Sequence, residues 1–223
     1  MPSQLVLPLP HRAALTRKDF VVAPANAQAV AFIDSWPHWQ VPVAAIHGPS
    51  GSGKSHLVEM WKAASGAAVI SASSLGEDFA ALGAPAASLA IEDIDAVSPT
   101  LERDRALFAL LEHAGRDTPV LLTGREPPTA WSSTLPDLAS RFSAVLALPL
   151  WAPDDALLAG IARKLFDDRQ LAVPDGVISR MLQLLERSPA AIRDFVGRAD
   201  AKALAEARPV NLALIRELLG RPS

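Results

Sequence analysis

Gly48-Pro49-Ser50-Gly51-Ser52-Gly53-Lys54-Ser55 is the stretch that decides the fold of this chain. It satisfies G-x-x-x-x-G-K-[ST] in full. The glycines let the backbone curl so that successive N–H groups face a phosphate, and a helix opening near Lys54 adds its positive N-terminal end. The pattern predicts a cradle for ATP or ADP, in which Lys54 reaches the β- and γ-phosphates and Ser55 ligates Mg²⁺. A Gly-rich turn with an exposed lysine is the bland alternative. The flanks decide between them. Val43, Ala44, Ala45 and Ile46 form a short apolar run that reads as a buried strand. Beyond the loop, Leu57, Val58, Trp61 and Ala64 repeat at helical spacing until Gly66 ends the helix.

Working outward, residues 1–17 read as an extended tail, because Pro2, Pro8 and Pro10 resist helix. Ala29, Phe32, Ile33 and Trp36 predict an amphipathic helix over 26–36, stopped by Pro37. Further strands are expected at 69–70, 89–94, 119–123 and 143–148, with a helix at 101–113. Strands alternating with helices predict an α/β fold with a parallel five-stranded sheet covered on both faces. After Pro149 the pattern changes. Pro153-Asp154-Asp155, Pro174-Asp175, Ser188-Pro189 and Asn211 each open a helical pattern, and no strand is expected. The expected division is a tail (1–17), an α/β nucleotide-binding domain (18–150) and a small all-helical lid domain (151–223).

Composition narrows the function. Half of the residues are apolar, 20% are charged and the formal net charge is −3, so nothing demands a nucleic-acid phosphate backbone as partner. There is no cysteine, which excludes disulfides and thiolate metal sites. The five histidines lack metal-ligand spacing. No apolar run is long enough for a transmembrane helix, and the first ten residues lack the basic start of a signal peptide, so a cytoplasmic protein is expected.

A phosphate loop needs an acid at the end of a neighbouring strand. Leu89-Ala90-Ile91-Glu92-Asp93-Ile94-Asp95 supplies two in succession, and adjacent acids behind an apolar strand are costly unless a cation lies close. Glu92 is the candidate Mg²⁺ ligand beside Ser55. Asp93 is the candidate catalytic acid. Thr123, after Leu121-Leu122 on the next strand, is placed to touch a γ-phosphate or orient water.

These pieces, in this order, resemble AAA+ ATPases of the DnaA family of bacterial replication initiators, over about residues 18–207. Phe20-Val21-Val22 with Asn26 is similar to the family's adenine-pocket entry. Glu92-Asp93 resembles its Walker B pair, with Glu where the family usually has Asp. Thr123-Gly124-Arg125-Glu126-Pro127-Pro128 resembles the sensor 1 segment, with Arg125 where many members have Asp. Leu138-Ala139-Ser140-Arg141-Phe142 is similar to the box that carries the arginine finger, at Arg141. Ile192-Arg193-Asp194-Phe195-Val196-Gly197 resembles the sensor 2 helix, with Arg193 as its arginine. By this resemblance the nucleotide contacts are Val21, Val22, Asn26, Pro49, Ser50, Gly51, Ser52, Gly53, Lys54, Ser55, His56 and Arg193. The catalytic candidates are Arg141, Asp93 and Thr123. The two departures imply weak or no intrinsic ATP hydrolysis, and ADP is the implied resident nucleotide.

Gln4-Leu5-Val6-Leu7-Pro8-Leu9 resembles the short motif by which bacterial proteins dock on the DNA polymerase sliding clamp. Gln4 offers a polar anchor, Leu5, Leu7 and Leu9 offer apolar ones, and Pro8 lowers the ordering cost. A DnaA-type body with this tail, ending where an initiator's DNA-reading domain would begin, implies a negative regulator of replication initiation. Its expected partners are the clamp and DnaA, whose bound ATP it would help to hydrolyse through Arg141. A helicase-loader or clamp-loader-like AAA+ protein remains open, as do a non-catalytic nucleotide-dependent scaffold and self-association.

Overall fold

The computed structural model describes residues 16–76 and 88–220. Five strands form one sheet: β1 (Val43–His47), β2 (Ala68–Ser71), β3 (Leu89–Glu92), β4 (Val120–Gly124) and β5 (Leu146–Pro149). Their spatial order is β2-β3-β4-β1-β5, and every pairing is parallel. The central β1 has Val43 opposite Val120 on β4 and Ala44 opposite Leu146 on β5.

Alternation along β1 explains the two apolar layers. Ala44 and Ile46 face one side, where they meet α1 (Ala27–Asp34) and α2 (Lys54–Ser65) through Val30, Ile33, Leu57 and Trp61. Ala45 faces the other side, toward α3 (Leu101–His113) and α4 (Pro136–Ala144) through Leu107, Leu110, Leu138 and Phe142. With both faces covered, the strands read as continuous apolar runs. Each fully buried Leu or Phe side chain contributes roughly 1.5–3 kcal/mol.

After β5 come α5 (Asp155–Asp167), α6 (Asp175–Leu182), α7 (Pro189–Ala205) and α8 (Leu212–Leu218). They build a separate core around Phe166, Met181, Phe195 and Leu214. Their starts obey local chemistry. The side chains of Asp154, Ser188 and Asn211 accept the N–H groups of Leu157, Ala191 and Leu214. No described helix is long and apolar enough to cross a membrane.

Two expectations need correction. The fifth strand was expected over 143–148, but Ser143 and Ala144 close α4, and the strand starts at Leu146. Leu138 and Phe142, four apart, bury one helical face, and the Ser143 hydroxyl donates to the Ala139 carbonyl one turn back. The third strand ends at Glu92 rather than at 94, because Asp93 turns into the left-handed region at φ 61°.

Candidate nucleotide-binding site

The loop between β1 and α2 wraps the end of the central strand. A Cβ on Gly48 would lie 2.0 Å from the Leu150 carbonyl oxygen, so only glycine fits there. Gly53, at φ 108°, turns the chain into α2 at a left-handed angle that other residues rarely adopt. The loop, the 19–26 segment, the residues just beyond β3 and β4, and helices α5 and α7 line a cleft of about 360 Å³.

Lys54 sits at its floor, 8% exposed. Its Nζ donates to the Gly48 carbonyl at 2.7 Å and to the Pro49 carbonyl at 3.0 Å. Burial pushes the ammonium below its usual range, opposed chiefly by the carboxylates of Asp93 and Asp95. The Ser52 hydroxyl is buried without a partner among the described residues, a polar group left for something in the cleft.

Phe20, Val21 and Asn26 enter along one side of the cleft. Phe20 packs edge-on against His56, with ring centroids 4.9 Å apart. Asn26 acts on the backbone: its amide donates to the Val21 carbonyl at 2.9 Å and its oxygen accepts the Ala23 N–H at 2.9 Å. It therefore shapes the 20–26 turn. His56 bonds the Thr16 carbonyl at 2.9 Å, and burial lowers its imidazole pKa, with that carbonyl opposing. From the C-terminal helices come Leu157 and Ile161 on α5, and Pro189, Ala190 and Arg193 on α7.

Asp93 and Arg125, close enough to Lys54 to act on its charge, also line the cleft. Thr123, buried at 1% exposure, uses its hydroxyl to accept the Asp93 N–H at 3.2 Å, which ties the exits of β3 and β4 together. The cleft thus brings together Val21, Asn26, Ser50, Gly51, Ser52, Gly53, Lys54, Ser55, His56, Asp93 and Arg193 from the expected set. Val22, 48% exposed, and Glu92, half-buried at the end of β3, do not line it. Pro49 contributes its carbonyl to Lys54 and no lining surface. No group of three or more His, Asp or Glu among the described residues is arranged to hold a metal by itself.

Arg141 lies elsewhere. On α4, 42% exposed, it pairs with Glu112 and lies over the Phe108 ring of α3, with 5.1 Å to the centroid. It does not line the cleft. The docking motif at Gln4, Leu5, Leu7, Pro8 and Leu9 lies outside the described residues.

Sequence reasoning missed Asp19, Leu157, Ile161, Pro189 and Ala190 as cleft residues. Leu157 and Ile161 are four apart in the apolar stripe of α5, and nothing in such a pattern separates a cleft-facing pair from a core-facing one.

No protein-family model and no curated protein sequence matches the chain. Solved structures do. Domain III of the Thermotoga maritima replication initiation protein DnaA superposes with a TM-score of 0.77 at 18% identity, covering 95% of this chain and 98% of that one. AMPPCP-bound DnaA from Aquifex aeolicus gives 0.73 at 16% identity, covering 86% and 67%. A Thermotoga maritima RuvB mutant gives 0.69 at 16% identity, covering 88% and 68%. The chain therefore has a DnaA-like AAA+ fold, an α/β P-loop architecture with a parallel five-stranded sheet followed by helices.

Proposed function

We propose that the cleft binds ATP or ADP and that the protein regulates replication initiation by acting on the nucleotide of a second AAA+ subunit. The residues fit the ligand. Phe20, Val21 and Ile161 offer an apolar flank for a purine, while the curled loop and Lys54 meet its phosphates. Arg193 reaches the same cleft from α7, so a bound nucleotide would join the sheet to the C-terminal helices. Ser55 and Glu92 are the Mg²⁺ candidates, with Asp93 the carboxylate that lines the cleft. The ion would neutralise charge between the β- and γ-phosphates.

The observation that carries the regulatory reading is the position of Arg141. It is exposed, outside the chain's own cleft, on a helix packed against α3. From there it is suited to meet another subunit's γ-phosphate, the role of an arginine finger supplied in trans. Together with the 4–9 motif, this resembles Hda, the regulatory inactivator of DnaA. On this reading the tail docks on the sliding clamp, Arg141 completes the site on DnaA, and hydrolysis leaves the initiator in its ADP form. Glu112 holds the guanidinium until that partner arrives.

The test is single-turnover hydrolysis of ATP preloaded on DnaA, with clamp loaded on DNA. Native protein should accelerate it, and Arg141→Ala should lose about 10³-fold or more of that acceleration while keeping its fold. Arg141→Lys should also fail, because a point charge does not reproduce the planar fork. Equal rates with native protein and Arg141→Ala would remove the finger role and favour a non-catalytic scaffold.

A further inference from the structure

Arg141 rides on a helix that is fixed at its start and along its inner face. Asp104, buried on α3, accepts the Thr134 N–H and the Ser133 and Thr134 hydroxyls just ahead of α4. Leu138 and Phe142 then bury the inner face of α4. Arg141 stands next to Phe142 in the chain and is exposed, yet its guanidinium is not left to solvent. Two residues of the neighbouring helix hold it. The Phe108 ring lies under it, 5.1 Å to the centroid, and the Glu112 carboxylate pairs with Nη2. Phe108 and Glu112 are four apart on α3, so they stand one above the other on one face. Phe108 is itself seated, half-buried against the core that includes Leu107 and Leu138.

A ring and a carboxylate around an arginine can follow from helical spacing alone. Arg198 is that case: it lies over Phe195, 5.4 Å to the centroid, and pairs with Asp194, both within α7. Arg141 differs, because both its partners come from another helix and the arrangement depends on how α3 packs on α4. The two partners also take different parts of the guanidinium. The ring takes its face, which sets the plane and leaves the N–H edges free. Glu112 takes an edge, the part that meets phosphate oxygens in a fork. A phosphate brought by a second subunit can therefore replace Glu112 while the ring contact stays in place.

We infer that Phe108 is a positioning residue for Arg141, holding the guanidinium plane ready for a second subunit's γ-phosphate, and that Glu112 is a built-in competitor for the same N–H edge. The inference rests on the finger reading of Arg141 and deepens it. A long side chain whose plane is already set loses less freedom when it engages.

The experiment is single-turnover hydrolysis of DnaA-bound ATP, with clamp on DNA, over a range of concentrations of the full chain. Maximal rate and half-saturating concentration are then read separately. Glu112→Gln should lower the half-saturating concentration about 2–5-fold at an unchanged maximal rate, the worth of one exposed ion pair that the phosphate no longer displaces. Phe108→Leu should lower the maximal rate about 2–5-fold, the worth of one exposed cation–ring contact. Phe108→Tyr should restore it, because the ring face is kept. In an Arg141→Ala background neither Glu112→Gln nor Phe108→Leu should change the residual rate. An unchanged or raised half-saturating concentration in Glu112→Gln overturns the competitor role. A native maximal rate in Phe108→Leu, or an equal loss in Phe108→Leu and Phe108→Tyr, overturns the positioning role. The levels separate at Arg141→Ala: if it accelerates hydrolysis as native protein does, the finger reading fails and this inference with it. If Arg141→Ala is inactive while Glu112→Gln and Phe108→Leu match native protein, only this inference fails.

Discussion

The sheet and the C-terminal helices handle charge in opposite ways. In the sheet part, Arg103 and Asp104 are side by side in sequence on α3 and almost wholly buried, with side chains 4% and 0% exposed. Arg103 donates to the carbonyls of Ile94, Val97 and Ser132, while Asp104 accepts from the Thr134 N–H and the hydroxyls of Ser133 and Thr134. In the helical part, Lys202, Glu206, Arg208 and Glu217 form a network whose side chains are 28–47% exposed. The first arrangement pins loops: the turn after β3 and the entry to α4, the helix that carries Arg141. The second decorates the outside of a bundle held by apolar packing around Phe166 and Phe195. Charge buried at loop roots fixes local geometry, whereas charge spread over solvent contributes little to how the helices pack.

Removing Asp104 should produce the largest effect on stability. Burial alone would raise its carboxyl pKa, but the bonds from Thr134, Arg103 and Ser133 bring it below the usual range, so it is ionised and paired at neutral pH. Asp104→Ala would strand the Arg103 guanidinium and should cost about 3–5 kcal/mol, read by urea denaturation. It should also loosen the entry to α4. A cost below about 1 kcal/mol would break the comparison, because the buried pair would then behave like a surface one.

The helical counterpart should do far less. Glu217 is held at about 2, first by Arg208 and then by Lys202. A depressed carboxylate contributes its stability in full above the unfolded value of 4.5 and loses it as the pH falls toward about 2. Glu217→Gln should therefore flatten the acid limb of the melting curve below pH 4.5. At neutral pH it should move the melting temperature by no more than about 2 °C, because exposed pairs are screened. A larger shift would mean that the surface network is structural.

How much of this was legible in the sequence follows from which signals are local. The loop around Lys54 was, because a phosphate cradle needs glycines and a lysine at fixed offsets. The strands around it were, because buried parallel strands leave apolar runs. The start of β5 was placed at 143 and the helix before it was not foreseen, since Ser143 and Ala144 suit a helix end or a strand start equally; in the structure Phe142 packs against Trp131, centroids 5.2 Å apart, and holds that stretch in α4. Asn26 was placed in the cleft but not in its structural role, because an amide that bonds its own turn looks the same in sequence as one that contacts a ligand. Arg125 was noticed only as a departure from a pattern. Its backbone N–H is held by the Asp95 carboxylate, thirty residues earlier in the chain, a contact that no local pattern reveals.

The central claim is that a nucleotide seated on Lys54 joins the sheet to the C-terminal helices through Arg193. Thermal unfolding with and without ADP tests it most directly. At about 100 times the dissociation constant, a ligand specific to the folded state adds about 2.7 kcal/mol. For a chain of this size that is a rise on the order of 5–10 °C. Native protein should show that rise, Arg193→Ala a smaller one, and Lys54→Ala none. No ADP-dependent rise in native protein, or an equal rise in Lys54→Ala, would contradict the account.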